Sequence, residues 1–95
     1  MSPMTALLDQ PLELHPQVAL RPEPFGALAY HYGNRKLVFL RHPDVVRVVR
    51  SLPDHASVSD TLRACEIEPA RWPSFERALR SLTESEMLHE RHPTG

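Results

Sequence analysis

The sequence predicts an α+β domain in which a three-stranded antiparallel sheet is followed by three helices. Three observations carry that reading. Apolar and aromatic runs at 27–32 and 35–41 flank Gly33-Asn34, a hairpin signal because glycine accepts the backbone angles of a tight turn. Val45, Val48, Val49 and Leu52 recur at helical spacing. Trp72, Phe75, Leu79 and Leu82 form a second such stripe near the C-terminus.

Taken in order, residues 1–14 contain Pro3 and Pro11 and no period, so they are expected to form a flexible leader with at most a turn at Thr5–Leu8. Val18–Pro22 reads as an extended segment bracketed by Pro16, Pro22 and Pro24. Proline donates no ladder hydrogen bond, which puts this strand at a sheet edge. The Gly33-Asn34 turn opposes Tyr32 to Arg35, Tyr30 to Leu37 and Leu28 to Phe39. Directly opposed residues share a face. The bulkier set, Leu28, Tyr30, Leu37 and Phe39, is expected to face the core. Ala27, Ala29, His31, Lys36, Val38 and Leu40 take the other side.

Pro43 suits a first helical turn, where its missing N–H costs nothing. Pro53-Asp54-His55 stops that helix. Ser57 with Asp60 resembles a capping box and opens a short helix with Val58, Leu62 and Cys65 on one side. The third helix spans about Pro69 to Thr83, with Pro73 loosening its first turn. Met87-Leu88 reads as a return segment, and 89–95 as a disordered tail. The ordered domain is therefore expected over 15–88.

Composition narrows the function. A chain of 95 residues buries only about 60–65% of its unfolded surface, one modest core with little room for a large cofactor. The net charge of −1, from ten Arg, one Lys and twelve acids, lacks the basic surplus of nucleic-acid binders. The single cysteine, Cys65, forms no internal disulfide and falls on an apolar helix face. No signal peptide and no apolar run of about 20 residues is visible, so a cytoplasmic protein without a membrane partner is expected. His89 and His92 are three apart, but the HExxH spacing of zinc proteases is absent. There is no Gly-x-Ser-x-Gly turn, and glycines stand only at 26, 33 and 95, too few for a phosphate-cradling loop. Neither a cofactor nor a catalytic constellation is expected.

What remains is a surface. Arg35–Arg41 should be the other sheet edge, and an edge presents unpaired N–H and C=O groups to a further extended chain. Leu40 is the ladder donor expected to point outward. The last helix could wall such a groove with Arg71, Phe75 and Leu79. The residues alone leave open a plainer reading, in which Arg41 and Pro43 blunt the edge and the apolar residues are all core.

The run HPQVALRPEPFGALAYHYGNRKLVFLRHPDVVRVVRSLPDHASV at 15–58 resembles the small peptide chaperones of mycofactocin biosynthesis. LRPEPFGALAYHYGNRKL at 20–37 and FLRHPDVVRVVRSL at 39–52 are its most characteristic parts, while ERALRSLTESEML at 76–88 is generic. That family is similar to the peptide chaperone of pyrroloquinoline quinone biosynthesis, a precursor-peptide recognition element. The resemblance implies a winged helix-turn-helix-like fold and a non-catalytic role. The protein would bind the leader of the mycofactocin precursor peptide and associate with a radical S-adenosylmethionine maturase. The iron–sulfur clusters and the S-adenosylmethionine belong to that enzyme. The leader would add beside the third strand, over a cleft walled by the third helix. This implies Leu37, Val38, Phe39, Leu40 and Arg41 on the strand, and Arg71, Phe75 and Leu79 on the helix. Relatives of this kind can form homodimers.

Two rivals stand beside it. A winged-helix DNA-binding protein wants a basic recognition helix, and the last helix mixes Arg71, Arg77 and Arg80 with Glu76 and Glu84. A small histidine-dependent enzyme would need its ligands brought together by the fold.

Overall fold

Proline leaves one strand at the rim of the sheet and hairpin pairing places the rest. The computed structural model describes residues 6–91. Its three-stranded antiparallel sheet joins β2 (Val18–Glu23), β3 (Gly26–His31) and β4 (Leu37–Leu40), in that spatial order. Helices α1 (Pro43–Ser51), α2 (Val58–Ala64) and α3 (Trp72–Glu84) follow. The α+β order, compatible with a winged helix, is as the sequence predicts. A second, two-stranded sheet pairs β1 (Leu12–Leu14) with β5 (Leu88–Glu90).

The β3–β4 register is the expected one, with Tyr30 opposite Leu37 and Leu28 opposite Phe39. The face that it buries is the opposite one. Ala27 and Ala29 have no exposed surface, and Leu40 and His31 are buried beside them. Leu37 and Phe39 are 49% and 52% exposed. The reason is the distance at which a helix can pack. Helix α1 lies against β3, and its fully buried Val48 and Val49 approach closely only where the sheet presents methyl groups. Large side chains at 28 and 30 would hold the helix away and leave voids at the margins, which dense packing forbids.

The turn also differs from expectation. Positive φ falls on Arg35 (63°), not on Gly33. The loop closes through the Arg35 N–H to the His31 carbonyl at 2.8 Å and the His31 N–H to the Lys36 carbonyl at 3.0 Å. His31 Nδ1 accepts from the N–H groups of Gly33 and Asn34 at 3.0 and 3.1 Å, so a buried imidazole shapes the turn. Gly33 is needed for room: a Cβ there would sit 2.8 Å from His31 Cε1. Asn34 fastens the tip to the end of α3, donating to the Ser85 carbonyl and to Glu86.

Helix ends follow local chemistry. Ser57 Oγ accepts from the Asp60 N–H at 3.2 Å and caps α2. Both α2 and α3 end in the same way, with a glutamate in the left-handed region: Glu66 at φ 59° and Glu86 at φ 64°. The next N–H reaches back to a carbonyl one turn earlier, Ile67 to Leu62 at 3.0 Å and Met87 to Leu82 at 2.8 Å. This is the Schellman motif, with its apolar residue buried just beyond the helix.

The domain is wider than the 15–88 expected, because residues 7–14 and 89–91 join it. Leu7, Leu12, Met87 and Leu88 are core residues, and Leu12 is only 1% exposed. The arm is short and interrupted by Pro11, so its leucines show no period. It finds its partner across the chain instead. Arg91 locks the pairing, giving its N–H to the Pro11 carbonyl at 2.8 Å and its guanidinium to the carbonyls of Pro53 and His55. The helical turn expected at Thr5–Leu8 is a 3-10 turn at Leu7–Asp9; Thr5 and His92 lie outside the described residues. Leu12→Ala is expected to cost about 2–5 kcal/mol, measured by chemical denaturation. A cost near zero would return the arm to the status of a leader.

Three imidazoles gather where the two sheets meet. His15 stacks on His31 at 4.5 Å and on His89 at 5.2 Å between ring centroids, and His89 contacts Glu13 at 2.8 Å. Burial, then the neighbouring His31 and His89, hold the His15 pKa below its ordinary 6.5, with Glu86 opposing. A depressed histidine pKa means that the unfolded chain binds the proton more readily. The stabilisation from neutral His15 is therefore present above pH 6.5 and is lost as pH falls below it. Thermal melts between about pH 7.5 and about pH 5.5 should show a flatter decline in Tm for His15→Gln than for the parent. Equal slopes would remove His15 as a source.

Candidate functional site

The three-stranded sheet has two edges, and they are not equivalent. The β2 edge carries Pro22, which removes a ladder donor. The β4 edge carries no proline between Leu37 and His42. No strand among the described residues covers it, because β1 and β5 pair with each other. Alternation decides which groups it offers. In an antiparallel ladder, pairs that exchange hydrogen bonds alternate with pairs that do not. The His31–Lys36 bond makes that pair a bonded one. Ala29–Val38 and Ala27–Leu40 are then bonded too, and the backbone groups of Leu37 and Phe39 point away from β3. Gly26 agrees: a Cβ there would collide with the Leu40 carbonyl oxygen, which turns toward β3. Leu40 is therefore not the outward donor that the sequence suggested.

Beside this edge, α1 and α3 enclose a hollow of about 340 Å³ lined by His42, Val45, Arg71, Ser74, Phe75 and Ala78. Its lining mixes polar and apolar side chains. Arg71 donates to Asp44 at 3.0 Å and its guanidinium lies 5.2 Å from the Phe75 ring centroid. Arg47 reaches the other Asp44 oxygen at 3.3 Å. The hydrogen bond from Arg71, then that from Arg47, holds the Asp44 pKa below the usual carboxylate value against some desolvation. Asp44 therefore stays charged through neutral pH and holds Arg71 beside the Phe75 ring.

The sequence-predicted residues divide. Arg71 and Phe75 line the hollow. Leu37, Phe39 and Arg41 are exposed on β4 or just beyond it, and Val38 is half-buried. Leu40 is buried, and Leu79 has no exposed surface, so both support the site from behind. Ser74 and Ala78 take the wall position expected of Leu79. Sequence reasoning missed those two together with His42, Asp44 and Val45. The spacing of Arg71, Ser74 and Ala78 along one helix face was the available signal. It was overlooked because small residues beside an apolar stripe read as its solvent margin.

A second hollow, about 400 Å³, lies between Phe25, Phe39 and Arg41. The two aromatic rings sit 5.8 Å apart and the Arg41 guanidinium 5.9 Å from the Phe39 ring. Among the described residues, no three of His, Cys, Asp and Glu converge as a metal site, and Cys65 is buried. No helix there is long and apolar enough to cross a membrane. The described surface offers backbone hydrogen bonds, apolar hollows and guanidinium groups, which suit the capture of an extended peptide.

The comparison with known proteins decides the family. The model of the peptide chaperone MftB family matches residues 11–89. The chain belongs to that family. Peptide chaperones MftB from Mycobacterium ulcerans and Mycolicibacterium smegmatis are similar to it, at 48% and 46% identity. These matches cover 84% and 92% of this chain, and 73% and 85% of the relatives. The Mycobacterium tuberculosis relative is 42% identical over 90% of this chain and 79% of its own. No solved structure matches the chain significantly. Membership makes the protein a non-catalytic peptide chaperone rather than an enzyme. The matched span includes β1 and most of β5, which agrees with their place in the domain.

Phe75 sits at the junction of core and hollow, 3% exposed. Phe75→Ala is expected to cost about 3–5 kcal/mol of stability and also to weaken peptide affinity. Urea denaturation and peptide titration on one sample separate the two effects. A stable variant with unchanged affinity would remove Phe75 from both roles.

Proposed function

We propose that this protein binds the leader of the mycofactocin precursor peptide as an added strand on β4 and delivers it to a radical S-adenosylmethionine maturase in the cytoplasm. The iron–sulfur clusters and the S-adenosylmethionine belong to the maturase. The observation that carries this reading is the β4 edge, which no strand among the described residues covers, beside the α1–α3 hollow. The ladder comes from Leu37 and Phe39. Arg41, Arg71 and Phe75 line the path, Val38 flanks it, and Leu40 and Leu79 hold it rigid from the core. Alternate residues of the guest strand fall on opposite faces. One set drops toward Val45, Phe75 and Ala78, and the other runs along Leu37 and Phe39. An edge of two outward residues supplies few hydrogen bonds, each worth about 0.5–1.5 kcal/mol net. The hollow must add apolar burial to reach useful affinity.

Titration calorimetry with the synthetic leader tests this reading. Phe39→Pro removes one outward N–H and should weaken binding by about tenfold. Phe39→Ala keeps that N–H and should weaken it less. Saturable binding that ignores the proline would put the guest elsewhere, and no binding by the parent chain would end the proposal.

A further inference from the structure

The outward face of the sheet has no covering element among the described residues. Leu28, Tyr30, Leu37 and Phe39 share it across β3 and β4, and Tyr32 and Phe25 extend it at 64% and 39% exposure. Ala19 and Arg21 continue it on β2, opposite Tyr30 and Leu28. Contiguous apolar surface of this kind marks an interaction site rather than ordinary scatter. We propose that this face is the docking surface for the maturase, through an apolar patch with an acidic margin on that enzyme. The inference rests on the proposed function and deepens it by naming the surface and its chemistry.

Two observations choose the occupant. The first is charge. Arg41 and Arg35 border the face with no acidic partner among the described residues, and its acid Glu23 is already paired with Arg21 at 3.2 Å. A second copy docking by the same patch would set these cations against one another, since a two-fold contact presents one surface to itself. An acidic margin on a different protein neutralises them. The second is continuity. A strand added to β4 widens the sheet, and every second guest side chain lies on this same outward face. An enzyme seated there touches Tyr30 and Phe39 together with the guest, so it meets the loaded chaperone on one continuous surface. Helix α1 packs on the other face of the sheet.

The test uses the full chain with Leu28→Gln and Tyr30→Gln combined. Both positions lie on β3, one strand in from the outer β4 edge that would receive the guest, and neither lines the α1–α3 hollow. Association with purified maturase, read by biolayer interferometry, should weaken at least about tenfold, the scale of a buried anchor worth more than 1 kcal/mol. It should also weaken with added salt, as complementary charge requires. Leader affinity should change by less than about twofold, which also reports a folded edge. Unchanged maturase association overturns the proposal. So does a parallel loss of leader affinity, because the peptide itself would then occupy the face. A parent dimer that becomes monomeric in the variant, by light scattering, would give the face to a second copy and overturn it as well. Absent leader binding by the parent would instead strike the proposed function, while the maturase measurement still reads out.

Discussion

The close seat of α1 on the methyl groups of Ala27 and Ala29 is the constraint on which the rest depends. With only methyl groups at positions 27 and 29 on that side of β3, Val48 and Val49 reach full burial. The parity of the hairpin does the rest. Once Ala27 and Ala29 face inward, Leu40 and Val38 must follow, and Leu28, Tyr30, Leu37 and Phe39 must face outward. A single packing distance therefore decides which apolar residues are buried and which are left exposed.

Much of the fold was legible in the residues, because the signals were local. The three helices came from valine and leucine spacing, the hairpin register from Gly33-Asn34, and the rim strand from Pro22. The parts that were not legible depend on partners distant in sequence. The β1–β5 pair joins residues 12–14 to residues 88–90, and neither three-residue segment is long enough to announce itself. The buried face of the hairpin was misjudged because hydrophobicity ranks large side chains first. The geometry of a helix on a sheet can prefer small ones. Of the residues that line the α1–α3 hollow, Arg71 and Phe75 stand out in the sequence because one is charged and one aromatic. Ala78 and Ser74 were missed because a groove is made by what is absent from its wall.

Three polar devices hold this frame without enlarging the core. His31 spends its Nδ1 on two turn N–H groups, so the hairpin tip keeps its shape despite a non-glycine residue at positive φ. Asn34 then ties that tip to the end of α3. Arg91 closes the far side against the carbonyls of Pro53 and His55. Each satisfies backbone groups that a chain of this size could not bury in regular structure, and a buried unpaired group would cost about 1–3 kcal/mol. The result is a rigid β4, anchored at both ends, with its outer ladder left available.

Rigidity at that edge matters because an added strand gains little from each hydrogen bond. A mobile β4 would have to be ordered at the moment of capture, and fixing a residue's backbone costs about 1–2 kcal/mol. That is as much as the new bond returns. Asn34 at one end and the α1 N-terminus at the other meet this cost during folding. The outward leucine and phenylalanine remain exposed for the same reason. They can contact a guest and a docking protein only if no element of the chain covers them, and the alanine-lined inner face lets the core do without them. Core and exposed surface are thus separated by the two-residue period of a single strand.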